Sequence, residues 1–177
     1  MRLLALSGSL RAASTNTAAL EALSRLAPAS VEVTIYRDMP ALPYFNADDD
    51  AETTPQPVAA LRGLVGSSDG LFIAAPEYAH GVPGALKNAL DWLVASPRFP
   101  AKPVALINTA PRASHAQSAL REILATMSAR LVPEAFVVLP LTGQDVDAER
   151  TAGDPALARA LRAGLDCFIH AIRGDAG

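Results

Sequence analysis

Apolar and polar positions along the chain switch repeatedly between a spacing of about two residues and one of about 3.6. Residues 3–7 are an almost continuous apolar run of strand length that stops at Gly8, the pattern of a strand covered on both faces. An Ala- and Leu-rich helical pattern follows over residues 17–26, beginning near Asn16. Residues 31–36 alternate with β-branched side chains, as a strand near a sheet edge does. Periodicity then fails over residues 38–57, which hold Pro40, Pro43, Pro55, Pro57 and the acidic run Asp48, Asp49, Asp50. That stretch predicts a long irregular loop. Helical spacing returns over 58–65, an apolar strand over 70–75, and a helix over 83–95 with Pro83 in its first turn. A strand over 104–109, a helix over 115–128, a last strand over 132–139 and a closing helix over 155–172, capped by Asp154, complete the pattern.

Five strands alternating with five helices, and no tandem hairpin signal, predict an α/β fold with a parallel sheet covered on both faces. Right-handed crossovers restrict such a sheet to a few doubly wound orders. Ligands of these folds sit beyond the carboxyl ends of the strands, so the loops after residues 7, 75 and 109 are expected to line one crevice. The chain has 177 residues and no internal repeat, low-complexity tract or linker, which predicts one domain over residues 1–177.

Composition narrows the function. Fifteen basic and eighteen acidic residues leave a net charge of −3, and no basic patch argues for nucleic acid or an anionic membrane surface. The single cysteine, Cys167, excludes an internal disulfide and a cysteine metal cluster. It lies among Leu165, Phe168 and Ile169 and reads as a buried, inert thiol. His80, His115 and His170 show no metal-ligand spacing. The apolar start ends at Ser7 and Gly8, too soon for a signal peptide, and no segment is long enough to span a bilayer. A reduced cytoplasm is the expected location.

Chemistry concentrates in two segments. In the first, the strand ending at Gly8 is followed by Ser9, Arg11, Ser14, Asn16 and Thr17 at the start of a helix. Unsatisfied amides and the dipole at a helix N-terminus attract an anion, hydroxyls add hydrogen bonds, and Arg11 adds a forked cation. The segment can therefore hold a phosphate dianion without metal, or its Ser and Asn can simply cap the helix. The second segment runs from Pro76 through Glu77, Tyr78, Ala79 and His80 to Gly81, Val82, Pro83 and Gly84. Its glycines permit close approach of the backbone to a flat ligand. Leu86, Leu90 and Leu93 then mark one face of a helix, with Lys87, Asn88 and Asp91 on the other.

With both segments in view, the chain resembles the NAD(P)H-dependent FMN reductase family of flavodoxin-like proteins. Gly8, Ser9, Leu10, Arg11, Ser14 and Asn16 match its first motif. Pro76, Glu77, Tyr78, Pro83, Gly84, Leu86, Lys87, Asn88, Ala89, Asp91 and Trp92 match its second. The resemblance implies a flavodoxin-like three-layer sandwich with a five-stranded parallel sheet in the order 2-1-3-4-5. It implies that Ser9, Arg11, Ser14, Asn16 and Thr17 hold the FMN phosphate, and that Pro76, Glu77 and Tyr78, with Ala79 and His80 following, border the isoalloxazine ring. NADPH or NADH would be the donor; free flavin, a quinone, an azo compound or a metal oxyanion would be the acceptor. A homodimer or homotetramer is implied as well.

Two departures stand out. Ala79 occupies the usual Asn position of the second motif, and Arg112 stands after the fourth strand where a Gly is common. Arg112 can reach a dinucleotide phosphate or lie in solvent. His80 can donate a proton to a quinone, and both His80 and His115 can equally be surface groups. Trp92, Phe99 and the proline-rich residues 97–103 can form a subunit contact. A flavin-binding electron carrier or sensor that does not oxidise NAD(P)H would share this fold and loop. The modest net charge counts against a strongly steered carrier.

Overall fold

In a computed structural model of the chain, residues 1–112, 114–141 and 146–174 are described. Strands β1 (Arg2–Ser7), β2 (Glu32–Tyr36), β3 (Gly70–Ala74) and β4 (Pro103–Asn108) form the parallel centre of the sheet. Two short strands, β5 (Arg130–Leu131) and β6 (Val137–Val138), both pair with β4. The order is β2-β1-β3-β4-β5, as the resemblance implies. Central strands are buried along nearly their whole length; Leu4 pairs with Thr34 on one side and Leu71 on the other. That double coverage is what a continuous apolar run needs.

Helices α1 (Thr15–Leu26), α2 (Ala47–Glu52), α3 (Gln56–Ser67), α4 (Gly84–Val94), α5 (His115–Thr126), α6 (Ala148–Gly153) and α7 (Pro155–Gly174) pack on the two faces. One core gathers Leu4, Leu6, Ile73, Leu90 and Trp92; the other gathers Leu3, Ala5, Leu20, Phe72 and Phe168. Alternate residues of β1 serve opposite cores, as the pleat dictates. Asp154 caps α7 as expected, its Oδ1 accepting the amides of Ala156 and Leu157 at 2.9 Å.

Four expectations are corrected. Of the strand predicted over 132–139 only β6 is found; a 3₁₀ turn at Pro133–Ala135 separates it from β5, which ends at Leu131, because proline has no amide to give the ladder. Gly164 of α7 lies so close beneath β6 that a Cβ there would collide with Val137 Cγ2. The segment predicted irregular over 38–57 contains α2, capped by Asn46 through the Asp48 amide at 3.2 Å. Its acidic run stands in the first helical turn, where the dipole favours negative charge. Trp92 and Phe99 are fully buried and cannot be subunit contacts, and Cys167 is exposed rather than buried. Among the described residues no helix is long and apolar enough to cross a membrane.

Candidate functional site

The site lies beyond the carboxyl ends of β1 and β3. Gly8 follows β1 and donates its amide to the Ala74 carbonyl at 2.8 Å. A Cβ on Gly8 would lie 3.1 Å from Ala75 Cβ and 3.2 Å from Leu86 Cδ2, so glycine is what lets the loop leave the sheet pressed against β3 and α4. Ser14, with extended backbone, caps α1 by accepting the Thr17 amide at 3.4 Å. Ser9 Oγ accepts the Arg11 amide at 3.4 Å, and Ser7 Oγ lies 2.8 Å from Thr17 Oγ1.

These bonds shape the loop without exhausting it. The amides of Thr15 and Asn16, in the first turn of α1, have no intrahelical acceptor. No acidic residue stands in that turn. Arg11 is exposed, and among the described residues its guanidinium makes no ion pair or hydrogen bond. Free amides, a positive dipole, nearby hydroxyls and one uncommitted cation are a donor set that fits a phosphate monoester. Ser14 caps the helix, and the capping leaves the other first-turn amides of α1 uncommitted.

Asn16 braces the loop from within. It is 4% exposed, and its Oδ1 accepts a hydrogen bond from Thr109 Oγ1 at 3.1 Å. Thr15 Oγ1 lies 3.2 Å from the same hydroxyl. The start of α1 is thus tied to the end of β4 by Thr109, a residue the motifs do not mark.

The second segment folds into a tight turn. Tyr78 and Gly81 exchange backbone bonds of 3.1 and 2.9 Å, and Ala79 and His80 between them have φ of 49° and 59°. Positive φ at both central positions is the two-residue turn that Asn-Gly ordinarily supplies. Pro76 and Tyr78 line a cavity of about 610 Å³ together with Ser9, Arg11, Ser14 and Asn16. The two motifs, Asn16 of one and Pro76 of the other being far apart in sequence, meet in that cavity. Thr17 lines the neighbouring cavity instead.

Glu77, Ala79 and His80 do not line it. Glu77 Oε2 accepts the Ala116 amide at 2.8 Å, in the first turn of α5. His80 stacks on His115 with ring centroids 4.3 Å apart and planes 20° from parallel. The third loop, expected in the same crevice, joins it through the Thr109 bonds; its Pro111 and Ser114 line a separate cavity of about 190 Å³ beside Arg121 and Phe136. Ala113 of that loop lies outside the described residues. The later part of the second motif is structural: Trp92 Nε1 and Asn88 Nδ2 donate to the Pro43 carbonyl at 2.8 and 2.9 Å, while Asn88 Oδ1 accepts the Phe45 amide at 2.8 Å. Lys87 and Asp91 pair at 2.5 Å one turn apart on α4.

A family model described as NADPH-dependent FMN reductase matches residues 1–144. A quinone reductase of Escherichia coli (strain K12) is 36% identical over 162 residues, covering 83% of this chain and 86% of its own. An NAD(P)H-dependent FMN reductase of Pseudomonas aeruginosa is 30% identical over 183 residues, covering 98% of each chain. Among solved structures, a flavoenzyme NAD(P)H:(acceptor) oxidoreductase from Paracoccus denitrificans superposes with a TM-score of 0.82 at 27% identity, over 98% of this chain and 97% of its own. A flavodoxin from Pseudomonas aeruginosa, at TM-score 0.55 and 18% identity, shares the fold alone. The chain belongs to the NADPH-dependent FMN reductases, flavin-dependent oxidoreductases that draw electrons from NAD(P)H.

Proposed function

We propose that this chain passes electrons from NAD(P)H to a quinone-type acceptor, with FMN held in the cavity between the first and second loops. One observation carries the reading: that cavity joins the open N-terminus of α1 to Pro76 and Tyr78. Ser9, Arg11 and Ser14, with the first amides of α1, would hold the FMN phosphate, on the wall shared with the cavity that Thr17 lines. Asn16 would hold the loop in place through Thr109. Pro76 and Tyr78 would border the ring, and Tyr78, 52% exposed, would stand at the mouth. Glu77, Ala79 and His80 would act behind the ring by setting the turn. Bound FMN supplies the hydride chemistry, and no side chain is assigned a bond-making role.

A quinone suits a mouth with the exposed Tyr78 ring, on which flat uncharged acceptors stack. Free flavin and azo compounds share that flatness and are the competing acceptors. Association of two or four copies through the exposed Tyr44 and Val94 belongs to the same reading, and sedimentation of a Val94→Asp variant as a smaller species than wild type would support it.

The test is an anaerobic titration of FMN-loaded protein with NADPH and then NADH, followed by a quinone, with flavin absorbance as the signal. Bleaching at stoichiometric nucleotide and recovery on adding quinone are expected. Bound FMN that neither nucleotide bleaches would return the electron-carrier reading. Failure to bind FMN would overturn the assignment of the loop.

A further inference from the structure

The cavity of about 190 Å³ between α5, the end of β4 and β6 shares no lining residue with the two cavities beside the first loop. Ser114 at the cap of α5, and Gln117, Ser118 and Arg121 on the helix, face it at the spacing of one helical side. The proposed flavin chemistry gives it no role.

Gln117 marks it as a site. This residue is 7% exposed, and neither its Oε1 nor its Nε2 makes a hydrogen bond among the described residues. Neither atom is sealed, because the described side-chain polar atom closed off without a partner is Tyr36 Oη. A buried amide on a cavity wall thus holds a donor and an acceptor for whatever enters. Asn108 adds a second donor: its Oδ1 is used on the Ala110 amide at 2.9 Å, which leaves Nδ2 free.

Arg121 supplies the charge. Its guanidinium lies over the Phe136 ring, 5.0 Å from the centroid, and forms no ion pair among the described residues. Stacking occupies the flat face of a guanidinium and leaves its N–H edge for a carboxylate. No acidic side chain lines the cavity. The helix end is not the attraction, since the Ala116 amide already goes to Glu77.

These features select a ligand class. One cation and no acid balance one negative charge rather than two. Leu106, Pro111, Val137 and the Phe136 ring form an apolar wall that inorganic phosphate would leave unused. The volume is several times the ~30 Å³ share of a water and below the ~300 Å³ at which drug-sized sites begin, so the ligand is small. We infer that this cavity binds a small monocarboxylate bearing a flat apolar group, with Arg121 and Asn108 Nδ2 on the carboxylate and the Gln117 amide beside it. The site is separate from the flavin cavity.

The test is a titration of isotope-labelled protein, with FMN present, by sodium benzoate at constant ionic strength, followed by amide NMR. Saturable shifts are expected at the Gln117 and Asn108 side-chain amides, half-complete at about 1 mM or below, with no release of FMN. Acetate, which lacks the ring, should bind about threefold or more weakly, and phosphate should not move these signals saturably. Arg121→Gln removes the charge at an exposed position and should weaken benzoate about tenfold or more. Arg121→Lys, which keeps the charge but loses the fork, should fall between. Gln117→Glu should abolish binding by repulsion; if that variant does not fold, the two Arg121 variants decide. Shifts that never saturate, phosphate binding as tightly as benzoate, unchanged affinity in Arg121→Gln, or release of FMN by benzoate would each overturn the inference. Failure of FMN to bind would overturn the flavin reading alone, and the benzoate arms would stand as described.

Discussion

Two helices begin at the same end of the sheet and treat their N-termini in opposite ways. α1 is capped from three residues away, by Ser14 accepting the Thr17 amide, and its first turn holds no acid. α5 has Ser114 at its cap position with no side-chain bond, and its amide at Ala116 is taken by Glu77, 39 residues earlier. The dipole at the two ends is the same in kind. One end is left open, and the other is stoppered by a carboxylate of the chain itself. The proposed anion site would be defined as much by the acid kept away from a helix start as by the donors gathered there.

The sharpest way to break this comparison is Arg11→Ala. If the α1 end is the phosphate site, loss of the uncommitted guanidinium should raise the dissociation constant for FMN about ten- to a hundredfold. The exposed position predicts no measurable change in unfolding free energy. Flavin fluorescence quenching and a urea melt of the apoprotein separate the two effects. A variant that binds FMN as wild type does would take the anion away from α1.

A carboxylate pinned by a side chain calibrates the one pinned by a helix. Asp50 accepts two bonds from Arg62, at 2.7 and 2.8 Å, and Arg62 also reaches the Trp92 carbonyl, so α2 is held to α3 and α4. Arg62→Ala is expected to cost about 2 kcal/mol at neutral pH, the scale of charged hydrogen bonds lost from a half-covered site. The Arg62 bonds hold the Asp50 carboxyl below its ordinary 3.8. Its contribution is then complete above pH 3.8 and is lost as pH falls through the lower folded value. Urea midpoints taken from neutral pH down through that window should fall more steeply in wild type than in Arg62→Ala.

Glu77→Ala comes next in size. Removing the stopper should cost about 1 kcal/mol, as loss of a helix cap does, and Ser14→Ala should cost a similar amount. The two are told apart by FMN: Ser14→Ala should weaken it, because Ser14 lines the cavity, whereas Glu77→Ala should act on stability first. Equal loss of FMN affinity in both would place Glu77 against the ligand rather than behind it.

The same contrast explains which features are legible in the sequence. The order of elements and the α1 loop follow from neighbours in the chain: an apolar run, a glycine, a cap, a helical spacing. The Ser14 cap and the uncommitted Arg11 are local facts, so adjacent residues are enough to announce them. The second loop is governed from a distance. Nothing near Glu77 announces that its partner is the Ala116 amide, and nothing near His80 announces His115. Thr109 and Asn16 lie 93 residues apart, and no period links them. Trp92 looks like an interface residue because a tryptophan near prolines often is one; only the fold brings the Pro43 carbonyl to its indole N–H. Residues 132–139 read as one strand for a local reason: their apolar run hides a ladder that breaks at Pro133 and resumes on the same neighbour, β4.

The smallest effect tests the turn itself. Ala79 has φ of 49° and His80 has φ of 59°, conformations that cost an ordinary L-residue about 1 kcal/mol or more. The Tyr78–Gly81 bonds, the His80–His115 stack and the Glu77 bond to α5 hold the turn there from outside. Asn tolerates this region because its short polar side chain bonds locally, and it is the residue the family motif carries. Ala79→Asn should therefore raise the unfolding free energy by about 0.5–1 kcal/mol, read as a higher urea midpoint with an unchanged slope. If the strain is held only by the distant contacts, the gain should be larger in the Glu77→Ala background, where the turn has lost one of its outside supports. An identical gain in both backgrounds would mean that the turn holds its shape locally, and the division between a locally written loop and a remotely held one would fail at this position.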